Sequence, residues 1–266
     1  MNLELNGKKA IITGGSRGIG KAIATALSAE GVVCTLIARN RTTLEVSAKN
    51  ISKLTKNPVY CIVADTGLDE SVRNMVSEAN ILMDGVDILV NCAARPLANK
   101  KIHNVGDITT ESFDGEMNVK VMGYIRCARE VAPIMKRRGW GRIINISGLA
   151  SRTTGNAVGS MRNVAVSALT KNLADELGPF GINVTVIHPG FTRTEATESF
   201  IIERASELGE EPNVVEAELA KNNSVNRIIE SADIAYVATM IASPRSIAIN
   251  GDVIAAGGGV GSSIYY

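Results

Sequence analysis

The chain has 266 residues, 45% hydrophobic and 21% charged, with a formal net charge of +1. That apolar share fills one large core. The balanced charge, with no basic block, argues against a nucleic-acid or anionic-membrane binder. The four cysteines (Cys34, Cys61, Cys92, Cys127) sit in apolar stretches without CxxC spacing, as reduced core thiols do, and form neither a disulfide frame nor a zinc site. With no leader-like opening and no membrane-length apolar run, the expectation is a soluble cytoplasmic protein.

Taken in order, the chain alternates strands and helices, which predicts a parallel sheet covered on both faces. Residues 10–13 form a short β-branched run, followed at once by Gly14-Gly15-Ser16-Arg17-Gly18-Ile19-Gly20 and by helix-spaced Ile19, Ile23, Ala26 and Leu27. Strands are expected at 32–38, 58–64, 87–91, 141–147, 181–188 and 250–255. Helices are expected at 41–54, 69–82 with Asp69 as N-cap, 111–137, 160–177 and 231–241. Residues 200–222 read as a Glu-rich helical insertion with Pro212 inside it, and 192–222 as a mobile substrate flap within a single domain spanning 1–266. The Gly-rich tail from Gly257 reads as flexible or as docking on a second subunit.

The glycine turn carries the chemistry. Strand, turn and helix together aim free N–H groups of a helix N-terminus at a diphosphate. Gly14 permits the tight turn, Gly18 the approach of backbone to phosphate, and Gly20 the closure of helix on strand.

With these elements in place the chain resembles the classical short-chain dehydrogenase/reductases over almost its whole length. The resemblance rests on Thr13-Gly14 to Gly18-Ile19-Gly20, Asn91-Cys92-Ala93-Ala94, Gly141-Arg142-Ile143-Ile144-Asn145-Ile146-Ser147, the helix string from Ala168 to Gly178, and His188-Pro189-Gly190. It implies an α/β Rossmann fold, a doubly wound seven-stranded parallel sheet in the order 3-2-1-4-5-6-7, with the ligand crevice at the carboxyl strand ends. It also implies a cofactor site. Gly14, Ser16, Arg17, Gly18 and Ile19 would form its turn, Asp65 and Thr66 border the adenine, and Asn91 and Ala93 the adjacent ribose. Pro189 joins the same site, with Thr192 at the nicotinamide amide. A homo-oligomer, tetramer or dimer, is implied through helices 111–137 and 160–177. NAD-binding relatives carry an acid about 20 residues past the turn. Here residues 36–39 end in Arg39 with no acid, so Arg17 and Arg39 point to a 2′-phosphate and to NADP(H) in preference to NAD(H).

The resemblance fails at the reacting centre. Matching the flanking motifs places Gly159 at the family's tyrosine, Asn163 at its lysine, Gly148 at its serine and Lys120 at its asparagine. Lys and Asn have exchanged positions, and the two glycines are expected to open volume beside the nicotinamide. Lys120 and Asn163 are therefore the candidate catalytic residues. His188 reads as a satisfied structural histidine, His103 beside Lys100 and Lys101 as solvated, and Ser147, Ser160 and Arg162 as weaker neighbours. Leu149, Met161 and Phe191 suggest an apolar surround for a small-molecule substrate. The reading is an NADP(H)-dependent oxidoreductase with a non-classical site. A lyase, dehydratase or hydrolase on the same scaffold, or a non-catalytic NADP(H)-binding protein, are the alternatives.

Overall fold

The computed structural model describes residues 2–94 and 104–261; Lys100, Lys101, His103 and the tail beyond residue 261 lie outside them. Its seven-stranded sheet is built from β1 (Lys9–Thr13), β2 (Val33–Ala38), β3 (Val59–Val63), β4 (Ile88–Asn91), β5 (Gly141–Ile146), β6 (Ile182–Pro189) and, numbered last, β9 (Val253–Ala256). The order is β3-β2-β1-β4-β5-β6-β9, and every pairing is parallel. This is the expected doubly wound order.

Strands buried on both faces read as continuous apolar runs, and their period of two divides the core. Ile12 and Ile144 point to the cluster under α1 (Gly18–Ala29), α2 (Arg41–Thr55) and α9 (Ser231–Ala242). Their neighbours Ile11 and Ile143 point to the cluster under α3 (Asp69–Met83), α5 (Gly123–Arg138) and α6 (Ala157–Leu177).

Local chemistry corrects several expected boundaries. Leu68, not Asp69, is the N-cap of α3. Asp69 is instead its first helical residue, where its carboxylate takes Arg126 at 2.9 Å and Arg129 at 2.6 Å. The helix expected at 111–137 is broken into α4 (Thr110–Met117), a π-helical turn Asn118–Met122, and α5. The widened turn leaves the Asn118 carbonyl accepting from both Gly123 N–H and Arg126 Nη1, the latter at 3.2 Å. Arg126 also reaches Thr66 O, so one guanidinium ties the turn to the β3–α3 loop. Helix α6 begins before residue 160, because the Asn156 side chain caps it by accepting from Gly159 N at 2.8 Å.

The Glu-rich insertion is two helices, α7 (Glu195–Leu208) and α8 (Pro212–Ala220). Pro212 opens α8, where its missing N–H is harmless. A two-stranded sheet of β7 (Thr192–Arg193) and β8 (Ile229–Glu230) has no counterpart among the expected elements. Arg193 fastens it by pairing with Glu198, Glu216 and Glu230.

Tyr124 is fully buried and its hydroxyl donates to Ile146 O at 2.8 Å, fixing the end of β5. Tyr124→Phe removes this donor and leaves a buried carbonyl short of a partner. Urea unfolding is expected to show a loss of about 1–3 kcal/mol. A change near zero would mean that water or another donor serves Ile146.

Candidate functional site

A cavity of about 580 Å³ opens at the carboxyl ends of β1, β2 and β4. Gly14, Ser16, Arg17, Gly18, Ile19, Arg39, Asp65, Thr66 and Ala93 line it together. Asn91, Pro189 and Thr192 fall outside this lining, although the neighbours Cys92 and Thr194 belong to it.

Hydrogen bonds hold the walls. Thr13 Oγ1 accepts from Cys92 N at 3.0 Å and Ala93 N at 3.2 Å, so the ends of β1 and β4 close on one hydroxyl. Ser47 Oγ donates to Ser16 O at 2.7 Å and steadies the glycine turn. Gly14 has φ +68°, and a Cβ there would lie 2.9 Å from Cys92 O, so the turn admits only glycine at that point. Asp65 Oδ1 accepts from Gly67 N at 2.8 Å. Asn91 donates its amide to Asn145 Oδ1 at 2.9 Å while its own buried Oδ1 has no partner among the described residues.

These features fit a dinucleotide. The turn is cut back to backbone where a diphosphate needs room, the N-cap residue Arg17 makes no side-chain cap on α1, and Arg17 and Arg39 both line the cavity. Thr192 is buried and donates to Gly190 O at 3.0 Å, and its carbonyl accepts from Thr197 Oγ1 at 2.6 Å.

Lys120 and Asn163 come together through Ser147 at the end of β5. Lys120 Nζ donates to Ser147 O at 3.0 Å, and Ser147 Oγ donates to the backbone carbonyl of Asn163 at 3.1 Å. Lys120 is buried in the π-helical turn. Burial, then the nearby Arg162 guanidinium, lower its pKa to about 7. Lys120 does not line the cavity itself, but Val119 beside it in the chain does. Asn163 Oδ1 is buried without a partner among the described residues.

Neither glycine leaves the open volume expected of it. A Cβ at Gly148 would lie 3.2 Å from Asn163 Nδ2, and one at Gly159 would lie 3.0 Å from Asn156 Cγ. Two asparagine amides fill those directions. Gly159 is also a helical residue of α6 and not its cap.

His188 is buried, with Nδ1 2.8 Å from Ser151 Oγ and Nε2 3.1 Å from Ser167 Oγ. Burial, with Arg152 and Lys120 adding to it, lowers its pKa to about 4, so it is neutral near pH 7. Ser160 donates to Thr153 O, and Arg162 pairs with Glu116. Leu149 is buried, whereas Met161 and Phe191 are exposed. The sequence reading missed Glu195, whose Oε2 accepts from Gly18 N at 2.9 Å inside the cavity wall. No signal within one motif marks a contact between residues 177 positions apart.

The short chain dehydrogenase family model matches residues 8–205. The short-chain reductase protein NovJ of Streptomyces niveus is 32% identical, over 94% of this chain and 92% of its own. The chloroplastic NADPH-dependent aldehyde reductase 2 of Arabidopsis thaliana is 35% identical over 97% and 95%. The structure of L-sorbose reductase from Gluconobacter frateurii, complexed with NADPH and L-sorbose, superimposes with a TM-score of 0.93. That pair is 25% identical, covering 99% of this chain and all of the other.

The Lys120 environment sets a pH-dependent stability. The folded pKa lies below the unfolded value of about 10.4, so the unfolded chain binds the extra proton between the two values. The cost of burying the charge is therefore full below about pH 7 and relieved as pH rises towards 10. Lys120→Met should be more stable than the parent at low pH, with the gap shrinking by a few kcal/mol across that window. Paired denaturation curves at stepped pH measure this. A gap independent of pH would place the lysine's titration outside the window.

Proposed function

This chain belongs to the short-chain dehydrogenase family, and from that premise we propose that it is an NADP(H)-dependent reductase of small carbonyl compounds in which Lys120 supplies the proton. What supports the reaction class is the pair of full-length relatives named as reductases, one of them NADPH-dependent. The neighbour complexed with NADPH and a ketose agrees with it. What supports the phosphate-bearing cofactor is that Arg17 and Arg39 line the same cavity, with no acid at the end of β2.

When bound, the nicotinamide supplies the hydride. The chain's own task is the carbonyl oxygen, which gains negative charge as the C–O π electrons move onto it. The single observation that carries our reading is a buried ammonium of pKa about 7, held on Ser147 O at the end of β5, in the residue after the cavity-lining Val119. A donor poised near neutrality gives up its proton readily to a developing alkoxide and recovers one from solvent. Lys120 has three N–H donors and spends one on Ser147 O. The bond aims the group without consuming it. Asn163, whose backbone carbonyl accepts from Ser147 and whose amide lies against Gly148, serves as a positioning residue for the substrate.

NADPH oxidation across a panel of aldehydes and ketones tests the reading. Lys120→Met is expected to lower kcat by roughly 10²–10⁴-fold while leaving NADPH binding near normal. The parent's reduction rate should fall above about pH 7 as Lys120 loses its proton, a slope the variant lacks. Arg39→Asp is expected to weaken NADPH binding and bring it level with NADH. Unchanged turnover in Lys120→Met would sink the assignment of the proton. Turnover of a substrate with no change in nicotinamide absorbance would favour a lyase or hydrolase.

A further inference from the structure

Glu195 is placed where its charge conflicts with the cofactor that the cavity fits. It is the first residue of α7, capped by the Thr194 side chain, and its Oε2 accepts from Gly18 N at 2.9 Å. That N–H belongs to the first turn of α1, whose N-cap residue Arg17 supplies no side-chain bond, and it is a group a diphosphate oxygen would use. A carboxylate there mimics a phosphate oxygen in charge and hydrogen bonding, and the two anions cannot share the donor at low cost.

The bond also forms a partition. A second cavity of about 510 Å³ lies between α1 and α9, and it shares Gly18, Thr194 and Glu195 with the first. Lys21, one turn into α1, lines only the second cavity, and among the described residues no carboxylate pairs with it. Glu30 lines the same cavity but stands nine positions on, at the C-cap of α1, about 13 Å away by helix rise. The backbone beside Glu195 is held, because Arg193 is fastened to Glu198, Glu216 and Glu230. Movement of Glu195 is therefore a side-chain swing, and the unpaired cation lining the far side is Lys21.

We propose that Glu195 is an internal competitor for the cofactor's diphosphate. Its carboxylate holds the Gly18 N–H in the free protein and crosses to Lys21 when the diphosphate enters. The inference rests on the NADP(H) reading above and adds a residue that sets cofactor affinity and release.

Binding of NADPH, followed by the dinucleotide's own fluorescence at fixed ionic strength, tests it on four chains: parent, Glu195→Gln, Lys21→Met and the double variant. A thermal melt of each checks the fold. Glu195→Gln removes the competing charge and keeps the shape, so it should tighten binding about tenfold. Lys21→Met should weaken binding several-fold in the parent and much less in the Glu195→Gln background, because the lysine acts by receiving the displaced carboxylate. If Lys21 acted only by its field on the phosphates, the loss would be the same in both backgrounds and the proposal would fall. Unchanged or weaker binding in Glu195→Gln, with NADPH held by the parent, overturns the competitor alone. No NADPH binding by any of the four chains overturns the cofactor reading and the competitor with it.

Discussion

One hydroxyl stands at the place where the sheet changes direction. From β1 the order runs outward to β2 and β3 on one side and to β4 on the other, so the helices that follow leave towards opposite faces and a gap opens between them. Thr13 Oγ1 spans that gap, taking Cys92 N and Ala93 N and reaching Val90 O at 3.4 Å. Without it, two strand-end N–H groups would face the crevice unpaired, and buried N–H groups rarely stay so. The glycine turn and the 580 Å³ cavity above it rest on this junction.

Further along the same strand ends the electrostatics sort the titratable groups. Lys120, His188 and Arg162 are three cationic types packed near one another, and the interior cannot hold three uncompensated charges. Arg162 resolves this by pairing with Glu116, and His188 by staying neutral between two serine hydroxyls. Lys120 has no carboxylate partner of its own among the described residues and settles on a backbone carbonyl. Desolvation then moves it to the middle of the pH range, which a surface lysine does not reach. Its place in a π-helical turn suits this, since such turns inside regular helices are frequent at functional sites.

The sheet was legible because a strand buried on both faces must be apolar throughout, as 10–13 and 182–187 largely are, and because Gly-rich punctuation separates the elements. Family motifs assigned Gly14 and Asp65 to one site, the charge at the end of the second strand added Arg17 and Arg39, and all four line one cavity. What stayed hidden depends on contacts between distant residues. The β7–β8 pair joins residues 192–193 to 229–230, each too short to carry a periodic signal. The space above Gly148 and beside Gly159 was misjudged for a related reason. A missing side chain names a vacancy only if no neighbour leans in, and Asn163 and Asn156 do so. The lone His188 was read correctly as satisfied, yet its partners Ser151 and Ser167 lie 37 and 21 positions away.

The four residues from Thr192 to Glu195 show how closely the cavity and the insertion are joined. Thr192 is bound to both Gly190 and Thr197, Arg193 fastens α7 and α8 to β8, and Thr194 caps α7. A Cβ at Gly18 would lie 3.3 Å from Thr194 Cγ2, so the start of α7 rests on the glycine turn itself. A packed contact of this kind transmits displacement, because interiors compress little. Anything that pushes on the turn at Gly18 is therefore felt first at the start of α7, and through Arg193 by α8. Glycine turn and insertion thus meet at one packed contact, and the charge at Glu195 sits beside it.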